Sequence, residues 1–100
     1  MQLLTKEVRK ALPKLGSQDG KGLDAVAYAK FFDPCSGWTW YATEGQDEGS
    51  DYLFFGWVQG FENELGYFSL NELQSVVGPL GLGIERDLNF TPKTLRELGA

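Results

Sequence analysis

The fold of this chain is decided by the stretch Trp38-Thr-Trp-Tyr-Ala-Thr43, which is rich in aromatic and β-branched residues. Such residues are favoured in β-strands, where successive side chains point to opposite faces of the sheet. This alternation places Trp40 and Ala42 on one face and Tyr41 on the other. The stretch therefore predicts a strand with two different faces at the centre of a sheet.

Further strands are predicted on both sides of this stretch, over residues 25–32, Tyr52–Gln59, 65–68 and 80–85. Pro34 and Gly37 predict a turn before it, because proline fixes φ and glycine tolerates positive φ. An acidic loop over 44–51 and a short turn over 60–64 join the later strands, and short connections of this kind link antiparallel neighbours. Gly56, inside a strand, indicates a bulge or a close approach of two backbones.

Short helices are predicted from capping signals over residues 6–12, 70–77 and 92–98. Ser69 and Glu72 form a capping box, and Gly78 is placed to end that helix in the left-handed conformation. Thr5 and Thr91 are placed to cap the other two helices. The expected architecture is a single α+β domain over residues 1–100, with a four- or five-stranded, mostly antiparallel sheet packed with short helices.

The charges of the chain are unevenly distributed. Lysine and arginine are absent from residues 31–85, a run of 55 residues that holds nine acids and 12 of the 14 aromatic residues. The net charge of the whole chain is −5. This distribution surrounds an aromatic-rich body with a negative field, which bears on partners rather than on fold.

Several kinds of chemistry are disfavoured by composition. The chain has no histidine, the commonest general base and metal ligand, and its single cysteine, Cys35, excludes an internal disulfide. We therefore predict a protein that is not an enzyme and has no cofactor. The first residues lack the apolar segment of a signal peptide, and no apolar run approaches the ~20 residues that span a bilayer. A cytoplasmic location without membrane contact is expected.

Five ordered blocks of sequence resemble the bacterial domain-of-unknown-function family numbered twenty-nine fifty-eight. They are Trp38-Thr-Trp-Tyr-Ala-Thr-Glu44, Leu53-Phe-Phe-Gly56, Glu64-Leu-Gly-Tyr-Phe-Ser-Leu70, Gly78-Pro-Leu-Gly-Leu82 and Ile84-Glu-Arg-Asp-Leu88. Members of that family are short single-domain proteins carried on plasmids, integrative elements and phages. The resemblance implies this genomic context, and it implies no activity and no site residues.

Residues 44–51 form the first candidate site, because four carboxylates fall within eight positions. Such a cluster could hold a hard cation such as Ca²⁺ or Mg²⁺. The spacing, however, lacks the acidic repeat and the closing bidentate glutamate of an EF-hand loop. A solvated loop is the preferred interpretation, and no metal site is predicted.

A second hypothesis concerns the acidic, aromatic-rich face as a whole. Carboxylates can imitate the phosphates of a nucleic acid and occupy the basic surface of a nucleic-acid-handling protein, for example a host defence nuclease. The expected contact residues are Glu44, Asp47, Glu48, Asp51, Glu62, Glu64 and Trp57. Direct binding of nucleic acid is not expected, because the aromatic strands lack interleaved bases. The alternatives are a small-ligand-binding module and a metal-dependent enzyme.

Two further questions are left open by the sequence. Large rings on both faces of the strands require either cover on both sides or an exposed patch for a partner. Arg86 is flanked by Glu85 and Asp87, which predicts a structural ion pair. Oligomeric state is not predicted.

Overall fold

The computed structural model describes all residues, 1–100, and its main feature is a five-stranded antiparallel sheet. The strands are β1 (Val26–Ala27), β2 (Ala29–Phe32), β3 (Thr39–Asp47), β4 (Tyr52–Gln59), β5 (Asn63–Ser69), β6 (Glu85–Arg86) and β7 (Lys93–Thr94); the helices are α1 (Lys6–Ala11) and α2 (Leu70–Ser75). The large sheet has the order β5-β4-β3-β2-β6, and β1 pairs with β7 in a separate two-stranded sheet. The predicted α+β class is confirmed.

The central meander follows the sequence-based expectation closely. Strand β4 has the predicted bounds, and it pairs with β3 on one side and β5 on the other. The first predicted strand divides at Tyr28 into β1 and β2, which join different sheets. Strand β3 continues to Asp47, so the predicted acidic loop shortens to residues 48–51.

A β-bulge at Thr43 changes which face of β3 each later side chain occupies. Ala42 pairs with Gly56, and Glu44 pairs with the next residue of β4, Phe55. Thr43 is the extra residue, and its hydroxyl donates to the Phe55 carbonyl at 3.0 Å. A Cβ on Gly56 would lie 1.7 Å from the Tyr41 carbonyl oxygen, so the predicted close approach at this glycine is confirmed.

The sheet is covered on both faces. A core of 13 buried residues lies on the face of Trp40 and Ala42, where the N-terminal segment, α1 and α2 pack. A smaller core of five buried residues lies on the face of Tyr41, under β1 and the C-terminal segment. The large rings at the centre of the sheet are therefore covered on both faces. Neither helix has the length and hydropathy needed to cross a membrane.

Both helices that form are capped as predicted. The hydroxyl of Thr5 accepts from the Val8 N–H at 3.2 Å, and that of Ser69 accepts from the Glu72 N–H at 3.1 Å. Helix α2 ends at Ser75, two residues early, and the predicted left-handed conformation of Gly78 is wrong. The chain instead turns at Gly81, where φ is +74°.

The C-terminal quarter departs most from expectation. Of the strand predicted over 80–85, only Glu85 lies in a strand, as the first residue of β6, which pairs with β2. The predicted last helix is replaced by β7 and a series of turns. Leu95 is 2% exposed, and its N–H donates to the Ala25 carbonyl at 2.9 Å. Contacts with β1, far away in sequence, therefore override the local capping signal at Thr91.

Candidate partner-binding surface

The structure divides the seven predicted contact residues into three groups. Glu44 and Trp57 are buried within the fold. Asp47, the last residue of β3, lies next to the turn that holds Glu48 and Asp51, whereas Glu62 lies in the turn between β4 and β5 and Glu64 is the second residue of β5. These two turns stand at opposite ends of β4, which spans about 23 Å at ~3.3 Å per residue. The acids therefore do not form one continuous face.

Glu44 is a structural carboxylate, because it is 3% exposed. The bulge at Thr43 turns its side chain toward the loop that follows α1. Its two oxygens accept from the backbone N–H groups of Gly16 and Gln18, each at 2.7 Å. The prediction that Glu44 contacts a partner is corrected, since the carboxylate is enclosed and used to hold this loop.

Gln18 completes the same buried arrangement. Its amide nitrogen donates to the carbonyls of Val26 and Thr43, and its amide oxygen accepts from the Val26 N–H. Every polar group of the side chain is thus engaged, as a buried amide requires. The loop is tied to both β1 and β3 through this one residue.

Trp57 is also removed from the surface, at 5% exposure. Its ring stacks on Tyr41, with 5.5 Å between centroids, beneath the C-terminal segment. The prediction that Trp57 contacts a partner is therefore corrected. This tryptophan is a core residue of the smaller cluster, and Leu95 covers it with the rest of that cluster.

The acids at the β3–β4 turn are largely engaged within the protein. Asp47 forms an ion pair with Arg9 at 2.8 Å and accepts from the Gly49 N–H. Asp51 accepts from the backbone N–H groups of Tyr52 and Asn71, at 2.7 and 2.9 Å. Glu48 differs from these two aspartates, because it is exposed and its carboxylate accepts a hydrogen bond only from the Gln46 side chain.

These contacts change the proton affinity of both aspartates. The N–H of Gly49, and then the Arg9 side chain, hold the pKa of Asp47 below its ordinary value of 3.8. The N–H of Asn71 lowers the pKa of Asp51 in the same way. Hydrogen bonds to the charged form favour that form. Both carboxylates therefore stay anionic to a lower pH than a free aspartate does.

The acids at the β4–β5 turn are free by comparison. Glu62 and Glu64 are exposed, and neither forms an ion pair. Phe61 directly precedes Glu62 in the chain and is 96% exposed. Its ring meets Trp38 edge to face, with 5.3 Å between centroids. A large aromatic side chain is thus held out in solvent beside two unpaired carboxylates.

Strand β5 is an edge strand of the large sheet, and it also carries two exposed apolar side chains, Leu65 and Tyr67, at 55% and 66% exposure. They pair across the ladder with Trp57 and Phe55, so they lie on the Tyr41 face of the sheet, opposite the face of Trp38 and Phe61. We call the set Phe61, Glu62 and Glu64 the hairpin surface. Phe61, Leu65 and Tyr67 were not singled out from the sequence. The available signal was a phenylalanine inside a turn otherwise made of glycine and polar residues, Gly60-Phe-Glu-Asn63.

The fold does not bring the acidic side chains and Cys35 together as a set of metal ligands. No group of three or more cysteine, aspartate and glutamate side chains is close enough together to hold a metal ion. The four carboxylates of residues 44–51 point to different partners, with Glu44 on the loop after α1 and Asp51 on the start of α2. The apparent cluster in the sequence is therefore dispersed in space.

The family comparison agrees with the resemblance found in the sequence. The family model described as "Protein of unknown function (DUF2958)" matches residues 3–97. The chain belongs to this family. The match spans both hairpin turns, the bulge and the C-terminal segment, so it covers the whole fold described above. No curated protein and no solved structure matches the chain.

Proposed function

We propose that this member of the family is a non-enzymatic interaction protein that binds a protein partner through the hairpin surface. The observation that carries the proposal is Phe61, a ring 96% exposed and flanked by the free carboxylates of Glu62 and Glu64. Exposed aromatic anchors surrounded by polar groups are typical of the energetically dominant parts of protein interfaces. Trp38 supports the ring from beneath, which reduces the entropy lost on binding.

The chemistry of the surface favours a partner with a basic cleft. Residues 31–85 contain no lysine or arginine, so the hairpin surface has no positive charge within its own part of the chain. Nucleic-acid-handling proteins carry basic clefts that bind phosphates. Glu62 and Glu64 occupy phosphate positions in such a cleft, and Phe61 takes an apolar or base-stacking position. The contact is a hairpin tip inserted into a cleft, rather than a broad charged face.

A protein encoded on a mobile element would benefit from such a contact. Genes on plasmids, integrative elements and phages meet host defence nucleases, whose clefts are basic. Inhibition of such a nuclease in the cytoplasm, by occupying its nucleic-acid cleft, is the sharpest form of the proposal. The free carboxylates at the hairpin tip support it, whereas the engaged acids at the β3–β4 turn do not contribute.

The proposal is tested first by capture. Tagged protein is incubated with lysate of the host bacterium, washed at low and high salt, and the retained proteins are identified by mass spectrometry. We expect a nucleic-acid-binding protein that elutes with salt, because its basic surface is attracted by charge. The purified partner is then tested for competition between this protein and a labelled DNA duplex.

Two double variants that change the net charge by the same amount show which end of the protein makes the contact. Glu62→Gln with Glu64→Gln removes two charges from the hairpin surface, and Asp47→Asn with Glu48→Gln removes two from the opposite end. We expect the first pair to weaken binding at least about tenfold and to flatten its salt dependence. The second pair should leave both unchanged. Equal losses in both variants, or none in either, would contradict a contact through the hairpin surface.

A further inference from the structure

Arg86 is a cation that the fold positions but does not pair. Strand β6 fixes its backbone against Phe31, and its N–H donates to the Met1 sulfur at 3.0 Å. The ion pair predicted from its acidic neighbours is wrong, because Asp87 pairs with Lys30 at 3.7 Å and Arg86 forms no salt bridge. Its Nε is the one buried side-chain nitrogen or oxygen of the protein that has no hydrogen-bond partner.

The side chain of Arg86 lines a cavity of about 230 Å³ between α1 and the segment that follows β6. Apolar groups form most of its wall, among them Val8, Leu88 and Phe90. Tyr28 also lines the cavity. A guanidinium and a phenol therefore belong to the lining of one small, mostly apolar cleft.

We propose that this cavity binds a small organic carboxylate with an apolar body. The guanidinium presents N–H donors in a planar fork that matches the two oxygens of a carboxylate. The Nε–H is buried, so binding through it requires the Arg86 side chain to turn toward the ligand, and this would remove the cost of a buried donor without an acceptor. The phenol of Tyr28 supplies a further donor, and the apolar wall accepts a single ring or a short alkyl chain.

The charges around the cavity favour a monoanion. Glu7 and Asp87 also line the cleft, and Asp87 is balanced by Lys30. Glu7, like Arg86, forms no salt bridge, so the unpaired charges of the lining sum to zero, and among anions a ligand with a single negative charge meets the least repulsion. A phosphate dianion brings two charges toward Glu7 and is strongly hydrated, which suits an apolar wall poorly. The volume lies below the range of ~300–1,000 Å³ of sites for drug-sized ligands, so the ligand is small.

The site is tested on the intact protein by titration with sodium benzoate. The readout is the Nε–Hε resonance of Arg86 in an ¹H–¹⁵N correlation spectrum, with melting temperature as a second measure. We expect a saturable shift of this resonance and a rise in melting temperature. Sodium chloride at matched ionic strength should give neither. A response to benzoate no larger than that to chloride overturns the proposal, and so does a response to inorganic phosphate alone.

Variants assign the response to Arg86. Arg86→Met keeps the length of the side chain and removes the fork, and we expect binding at least about tenfold weaker. Arg96→Met is the matched control, because Arg96 is exposed and pairs with Asp24 elsewhere on the surface. If Arg86→Met does not fold, Arg86→Lys retains the charge without the fork and should show the same loss. Undiminished benzoate binding in any folded Arg86 variant overturns the proposal.

Discussion

The two turns at the ends of strand β4 carry similar acids in opposite circumstances. At the β3–β4 turn, Asp47 is paired with Arg9, and Asp51 accepts from the first turn of α2. At the β4–β5 turn, Glu62 and Glu64 are exposed and unpaired beside the exposed ring of Phe61. One end therefore uses its charges to fix neighbouring elements, and the other presents them to solvent.

The difference follows from what packs against each end. Helices α1 and α2 both reach the β3–β4 turn, so their donors and cations engage the acids there. At the β4–β5 turn, Phe61 packs against the Trp38 ring, and neither Glu62 nor Glu64 has a cationic partner. Charge density in the sequence is thus a poor guide to function until the partners of each carboxylate are known.

The largest effect is expected at Glu44, the carboxylate buried between the two ends. Glu44→Ala leaves the N–H groups of Gly16 and Gln18 without their acceptor. We expect a loss of about 3 kcal/mol in the free energy of unfolding, since buried unsatisfied donors cost ~1–3 kcal/mol each. Chemical denaturation measures it. Glu64→Ala, an exposed glutamate on β5, is the control, and a similar loss there would show that burial does not separate these acids.

A smaller effect is expected at Asp51, which links the β3–β4 turn to α2. Asp51→Ala removes the acceptor for the Asn71 and Tyr52 N–H groups. The melting temperature should fall by a few degrees, as for loss of a helix cap. The matched control is Glu48→Ala in the same turn, whose carboxylate contacts only the Gln46 side chain. Equal melting temperatures for the two variants would contradict a role of Asp51 in holding α2 to the β3–β4 turn.

The sequence was sufficient for the elements that depend on local interactions. Strand β4 has its predicted bounds because its alternation and both flanking turns lie within about a dozen residues. The caps at Thr5 and Ser69 were likewise readable, since each hydroxyl bonds a backbone N–H three residues ahead.

What could not be predicted depends on contacts distant in sequence. The last helix was expected from Thr91 and Pro92, but Leu95 is drawn instead to Ala25 and the smaller core. Glu44 was assigned to the surface because its partners lie in a loop 26 and 28 residues earlier. The bulge at Thr43 turns Glu44 toward that loop. The only sign of this bulge in the sequence is Gly56, the glycine on the neighbouring strand.

The pH dependence of stability should distinguish the two ends. The folded pKa values of Asp47 and Asp51 lie below the ordinary value of 3.8, so these groups stabilise the fold above that pH. Their contribution is lost as pH falls through the lowered folded values. The protein should therefore lose stability below about pH 4. Backbone hydrogen bonds also lower the pKa values of Asp33 and Glu97, so these two groups change the stability with pH in the same direction.

The contribution of the β3–β4 turn is isolated by Asp47→Asn with Asp51→Asn. This variant should be less stable than the natural chain near neutral pH and approach it as the pH falls below 3.8. Melting temperatures measured across that range check the convergence. A difference that stays constant down to the lowest pH would show that the two carboxylates are not stabilised as anions by the fold.

The smallest effect on stability is expected at the hairpin surface itself. Glu62→Gln with Glu64→Gln should leave the melting temperature within about 2 °C of the natural chain, as for substitutions of exposed, unpaired side chains. Added salt should not change this difference, because no internal ion pair is lost. A clear destabilisation would mean that these acids serve the fold, as Asp51 does. A neutral result separates their role from stability, so any loss of partner binding in the same variant is assigned to the contact itself.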